Sequence, residues 1–253
     1  GTLTAYSERT PSYNFEVTNL GLAIHPLIFN GSAYSISQLL LGVDSWVGDA
    51  TNNHFTWFRG GSDTYDGLAG IDTFLLTGDT RAGVPITRID SQTVSFNAPG
   101  LLGGLDTVRL KSIERIKFSD LSVAYDLDGN AGKVARVLGA VFGKAAVSNE
   151  TYAGIGLDLF DRGASNTDVM HLALEARLGT TYSNTTLVQT LFRNVFNAEP
   201  SAFDLQIFNN LLSSRALTPE ELGWAAADSA ANATSINLVG LQQGGLEFIP
   251  VGG

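Results

Sequence analysis

The spacing of apolar residues changes once along this chain, near Tyr125, and no single regular architecture accommodates both patterns. Before that point, runs such as "RIDSQTVSFNA" and "DTVRLKSIERIKF" alternate apolar and polar residues between Gly, Thr, Ser and Asp, the period-two pattern of half-buried strands. From Gly132 on, "KVARVLGAVFG", "TDVMHLALEARLG", "TTLVQTLFRNVF" and "PEELGWAAADSA" repeat apolar residues at i, i+3, i+4 and i+7, the stripe of an amphipathic helix. The break falls in "YDLDGNAGK". The predicted fold class is α+β in two parts: an N-terminal all-β domain over residues 1–125, then an all-α domain of six or seven short helices over residues 126–253.

Helix punctuation agrees with that division. Ser165 and Thr218 are predicted N-caps, the second followed by Pro219 at the first helical position, and Gly143, Gly163 and Gly179 are predicted stops. The helical half also reads as duplicated at a shift of 53 to 54 residues. Val134, Leu138, Val141, Phe142 and Leu157 match Val188, Phe192, Val195, Phe196 and Leu211, and "NTDVMHLALEA" matches "PEELGWAAADS". Two helix pairs with similar core needs would look the same, so duplication is one of two readings.

Only 16% of the residues are charged, against roughly a quarter in an average domain. The surface is therefore coated by Ser, Thr, Asn and Gly or covered by other subunits. A net charge of −10 argues against nucleic acid and anionic membranes, which reward a basic face, and suits a hard cation. The absence of cysteine excludes disulfides, thiolate zinc and cysteine nucleophiles. No apolar run approaches the roughly 20 residues of a membrane span. The N-terminus lacks a basic region followed by an apolar stretch, so the expectation is a removed signal or another export route.

The pattern Gly-x-Asp-[Ser/Thr]-apolar occurs four times, around Asp44, Asp63, Asp72 and Asp106. Asp63 and Asp72 are nine residues apart and so in one register; the unit around Asp44 is offset from it. Glycines at Gly61 and Gly70 let the chain turn tightly and aim carbonyl oxygens inward, the carboxylates supply charge, and the apolar residue two positions later fills the interior. Such oxygens suit calcium. A simpler reading leaves Asp63 and Asp72 as Asx-turns at strand ends, the role expected of Asp106.

"FRGGSDTYD" and "GLAGIDTFL" resemble two consecutive nonapeptides of the RTX, or hemolysin-type, calcium-binding repeat. The first departs from it, with Phe58 and Arg59 where glycines are usual. The resemblance implies a β domain with degenerate β-roll turns and one or two calcium ions at a site drawn from Asp63, Asp72, Gly61, Gly70, Asp44 and Asp66. "GLDTVRLKSIERIKFSD" and "DLDGNAG" resemble the segment that follows such repeats in secreted bacterial proteins, and the rest resembles the α-helical domain that commonly comes after. The first helical copy has Arg136-Val137-Leu138 where an aromatic-rich start is usual.

Other chemistry finds little support. "DLDGN" fails as an EF-hand because Ala131 and Val137 stand where Gly and Glu are required, which leaves it as a helix cap. His25, His54 and His171 are scattered, no HExxH or GxSxG motif occurs, and Glu220-Glu221 reads as a helix first turn. Trp46, Phe55, Trp57, Phe58 and Tyr65 serve as core or subunit contact, or line a sugar-binding face.

The expected function is a non-enzymatic, secreted or cell-surface, calcium-supported structural protein that forms a homopolymeric layer, filament or matrix. Alternatives are a secreted adhesin for cell-surface polysaccharide and a secreted hydrolase. The apolar tail "GGLEFIPVGG", with no Lys or Arg after Arg215, resembles the ends of proteins exported by a type I route and reads as flexible. Residues 2–28, alternating in "YNFEVTNLGLAIH", are expected to add a strand to a neighbour's sheet or to form an intramolecular edge strand.

Overall fold

The computed structural model describes residues 2–9, 14–23, 42–57, 60–100 and 103–252, the first two segments by backbone path alone. His25 and Phe58 lie outside the described residues. The chain divides into two compact units, Gly1–Ser122 and Val123–Gly253.

In the first unit, short strands follow one another with a turn between each: β3 (Ser45–Val47), β4 (His54–Thr56), β5 (Thr64–Asp66) and β6 (Thr73–Leu76). Alternate members go to different sheets. β3 pairs in parallel with β5, Ser45 opposite Thr64, while β4 pairs in parallel with β6, His54 opposite Thr73. The path is therefore a coil in which equivalent residues recur every 19 positions. After an excursion through β7 (Thr87–Arg88) and β8 (Thr93–Pro99) the coil resumes, with β9 (Leu105–Lys111) parallel to β5 and β10 (Arg115–Phe118) parallel to β6.

Antiparallel strands flank the parallel run of the first sheet. β2 (Asn14–Ala23) pairs with β3 and carries β1 (Thr2–Arg9) on its other side; β8 pairs with β9 and carries β7. Residues 14–23 of the N-terminal segment are thus an intramolecular strand. Each three-residue strand buries its middle residue, as a pleat of period two requires: Trp46, Phe55 and Tyr65. Their rings interlock between the sheets. Tyr65 stacks on Trp46 with centroids 5.6 Å apart and meets Phe74 edge-on at 4.7 Å, within the range favoured by aromatic quadrupoles.

The second unit contains, among the described residues, eight α-helices: α1 (Asn130–Phe142), α2 (Glu150–Asp161), α3 (Asn166–Leu178), α4 (Asn184–Phe196), α5 (Ala202–Ser213), α6 (Pro219–Ala227), α7 (Ala230–Ser235) and α8 (Leu238–Gly244). The last two, at six and seven residues, are too short to print a helical period, hence the lower expected number. Ser165 and Thr218 cap α3 and α6 with reciprocal capping boxes. Asp126 Oδ2 accepts from Asn130 N at 2.9 Å, so "DLDGN" does cap α1.

Helices α1 and α2 have 13 and 12 residues, as do α4 and α5. Val134, Val137, Leu138 and Phe142 line an apolar cleft of about 160 Å³, and their counterparts Val188, Leu191, Phe192 and Phe196 line one of about 210 Å³. Helices α1 and α4 are also joined directly: Asn194 on α4 donates to the carbonyls of Ala140 and Val141 at the end of α1. The match of Leu157 with Leu211 is looser, since Leu212 is the deeply buried residue there. The C-terminal segment, expected to be flexible, is packed through Phe248: β12 (Leu246–Phe248) lies beside β11 (Ser122–Ala124) and buries Leu246 and Phe248, the alternate residues of a strand. No helix among the described residues is long and apolar enough to cross a membrane.

Candidate metal centre

Each half-turn of the coil enters its strand through one residue, and these residues stack in two ladders. Asp44 and Asp63 stand ahead of β3 and β5. Asn53, Asp72 and Glu114 stand ahead of β4, β6 and β10. One carboxylate oxygen of each later residue accepts the backbone N–H of the residue one coil earlier: Asp63 Oδ1 from Asp44 N at 3.0 Å, Asp72 Oδ1 from Asn53 N at 2.7 Å, Glu114 Oε2 from Asp72 N at 2.8 Å. These bonds satisfy turn N–H groups that the short ladders do not reach.

The turns need glycine where successive coils touch. Gly61 has φ +122°, and a Cβ there would lie 1.4 Å from the Gly42 carbonyl oxygen; at Gly70, φ +131°, it would lie 2.6 Å from that of Thr51.

The other carboxylate oxygens have a different fate. Asp44, Asp63 and Asp72 are 2%, 1% and 0% exposed, and Asp63 Oδ2, Asp72 Oδ2 and both Asp44 oxygens have no hydrogen-bond partner. Burial pushes the Asp44 carboxyl up to about 6. Burial likewise pushes Asp63 up to about 7 against the pull of the Asp44 N–H, with Asp44 and Asp106 repelling its charge. Asp72 is raised to about 7 by burial, with Glu114, Asp49 and Asp66 adding repulsion. A buried carboxylate without a partner is costly, and either a proton or a cation relieves it.

The donors are all oxygen, as a hard divalent cation such as calcium requires, with six to eight oxygens at about 2.3–2.6 Å. Among the described residues no group of three or more His, Asp or Glu side chains is arranged to hold a metal ion. Carbonyl and water oxygens would therefore have to complete the shell.

The candidates from sequence fall into place unequally. Asp44, Asp63 and Gly61 share one ladder, while Asp72 and Gly70 belong to the other, so the nine-residue spacing places Asp63 and Asp72 on opposite sides of the coil. Asp44 is not out of register: the coil repeats every 19 residues, which is the distance to Asp63. Asp66 has engaged oxygens, accepting from Leu68 N at 3.2 Å and pairing with Lys111 Nζ at 2.7 Å. Asx geometry occurs at Asp49 and Asp66, whereas Asp63 and Asp72 reach back one coil and Asp106 accepts from Gly61 N, 45 residues away. Asn53 and Glu114 escaped the sequence reading; the available signal was that each immediately precedes a short strand, as Asp72 does.

The two described histidines are both exposed. His54 is exposed on β4, and exposed His171 accompanies Glu220 at 2.9 Å, its pKa raised by that bond. Trp46, Phe55 and Tyr65 are buried, which removes them from any sugar-facing surface.

The raised carboxyls carry a pH dependence. Their folded values lie above the ordinary 3.8, so protonation stabilises the cation-free coil; that stability is full below about pH 4 and is lost as pH rises through about 6 to 7. In chelator, the melting temperature is expected to rise from pH 8 to pH 5, while the increment from added calcium shrinks. A melting temperature that falls over that interval would contradict the assignment.

Compared with protein-family models, curated proteins and solved structures, the chain matches none.

Proposed function

We propose that the first unit is a short β-roll of the RTX type, supported by calcium, in a secreted bacterial structural protein that assembles into a layer, filament or matrix. The observation that carries this reading is the pair of buried Asp63 and Asp72 carboxylates, each with one oxygen clipping the previous coil and the other without a partner. Bound calcium would supply positive charge where the fold buries negative charge, and Asp63, Asp72 and Asp44 are the residues to hold it. A coil destabilised without the cation stays loose where calcium is scarce and firms where it is abundant, as outside a cell.

Assembly is supported by the low charge content and by β1, which among the described strands stands at the end of its sheet with β2 on one side. A sheet end offers backbone groups to a second copy. Export by a type I route belongs to the same proposal. The burial of Trp46, Phe55 and Tyr65 weighs against the carbohydrate-binding alternative.

The test is electron microscopy with light scattering of the purified chain, in calcium and in chelator. Ordered polymers that form in calcium and disperse in chelator are expected; a monodisperse monomer in both would refute assembly.

A further inference from the structure

Glu114 lies outside both nonapeptides, 42 residues beyond Asp72, yet the coil stacks the two directly. Glu114 Oε2 accepts from Asp72 N at 2.8 Å, and the two side-chain charges are close enough to repel. The Asp72 side chain is fully buried, with Oδ2 unpartnered. That oxygen points to the turn just ahead of Glu114: the position a Cβ on Gly67 would occupy lies 2.3 Å from Asp72 Oδ2 and 2.3 Å from the Ser112 carbonyl oxygen. A side chain at residue 67 would collide with both oxygens. Glycine lets them converge on the same stretch of backbone.

We infer that Glu114 is the second carboxylate of a divalent-cation site shared with Asp72 Oδ2 and the Ser112 carbonyl. The site thereby joins the last nonapeptide turn to the turn that resumes the coil after the excursion through β7 and β8. This inference rests on the calcium reading above and extends it to residues outside the repeat. Two carboxylates and a carbonyl provide net charge and hard oxygens, with water to complete the shell. Asp66, tied to Lys111, stands nearby without being needed as a ligand.

Isothermal titration of the full chain with calcium chloride tests it. Glu114→Gln keeps an acceptor for Asp72 N but removes the charge, and it is expected to weaken calcium binding about 10–100-fold and to lower the calcium-induced rise in melting temperature. Glu114→Asp keeps the charge with a shorter reach and serves if the Gln variant does not fold; intermediate weakening is expected. If either folded Glu114 variant binds calcium like the parent while Asp72→Asn loses binding, the role of Glu114 is refuted and the calcium reading stands. If Asp72→Asn also binds like the parent, or the parent does not bind, both fall.

Discussion

Replacing Asp63 and Asp72 together by Asn is expected to weaken calcium binding by about two orders of magnitude, the scale on which ligand charge tunes such sites, and yet to make the cation-free protein more stable at pH 7.5. The two effects share one cause. In chelator, each carboxylate is buried with one oxygen unpartnered and a folded pKa near 7, so at pH 7.5 it is mostly ionised and pays the desolvation cost. Asn keeps the acceptor for the Asp44 and Asn53 N–H groups and discards the charge. Each kcal/mol relieved should raise the melting temperature of a domain this size by a few degrees, about 2–8 °C. Calorimetry that finds parent-like calcium affinity, or a chelator melting temperature well below the parent's, would contradict this account.

Phe74→Ala is expected to cost about 3–5 kcal/mol, a large part of the roughly 5–15 kcal/mol that holds a domain together. Phe74 is fully buried, edge-on to Tyr65 at 4.7 Å and 6.1 Å from Phe96, so it links a ring of the parallel run to one of the excursion. Tyr65 is itself held by Trp46 and Phe55, which limits how far it can swing in to replace the lost ring. Denaturant unfolding followed by tryptophan emission, with Trp46 and Trp57 in the same unit, reads the loss. A shift below about 1 kcal/mol would mean that the cavity collapses freely and that the rings are not a common core.

What could be read from the sequence followed contact distance along the chain. Ser165, Thr218 and the glycine stops were legible because a cap acts within one turn. The strands within "RIDSQTVSFNA" and "DTVRLKSIERIKF" were legible because a period of two needs only a few residues. Glu114 was not, since its one local sign, a place just ahead of a short strand, does not pair it with Asp72 once the excursion through β7 and β8 has intervened. Asp44 was misjudged because a nine-residue register was imposed where two unequal half-turns make 19. The pairing of β2 with β3 spans residues outside any motif, and the burial of Leu246 and Phe248 hides in a tail too short to show alternation.

The antiparallel strands that flank the parallel run have one more consequence. A bare coil presents the same parallel edge at each end, so copies could anneal end to end without limit. Here β2 and β8 act as bookends on the first sheet, reversing chain direction where a further parallel rung would dock. On that sheet the parallel run ends where the chain turns back. Any joint between copies through β1 follows the pairing rules of a hairpin edge, independent of the repeat's own rhythm.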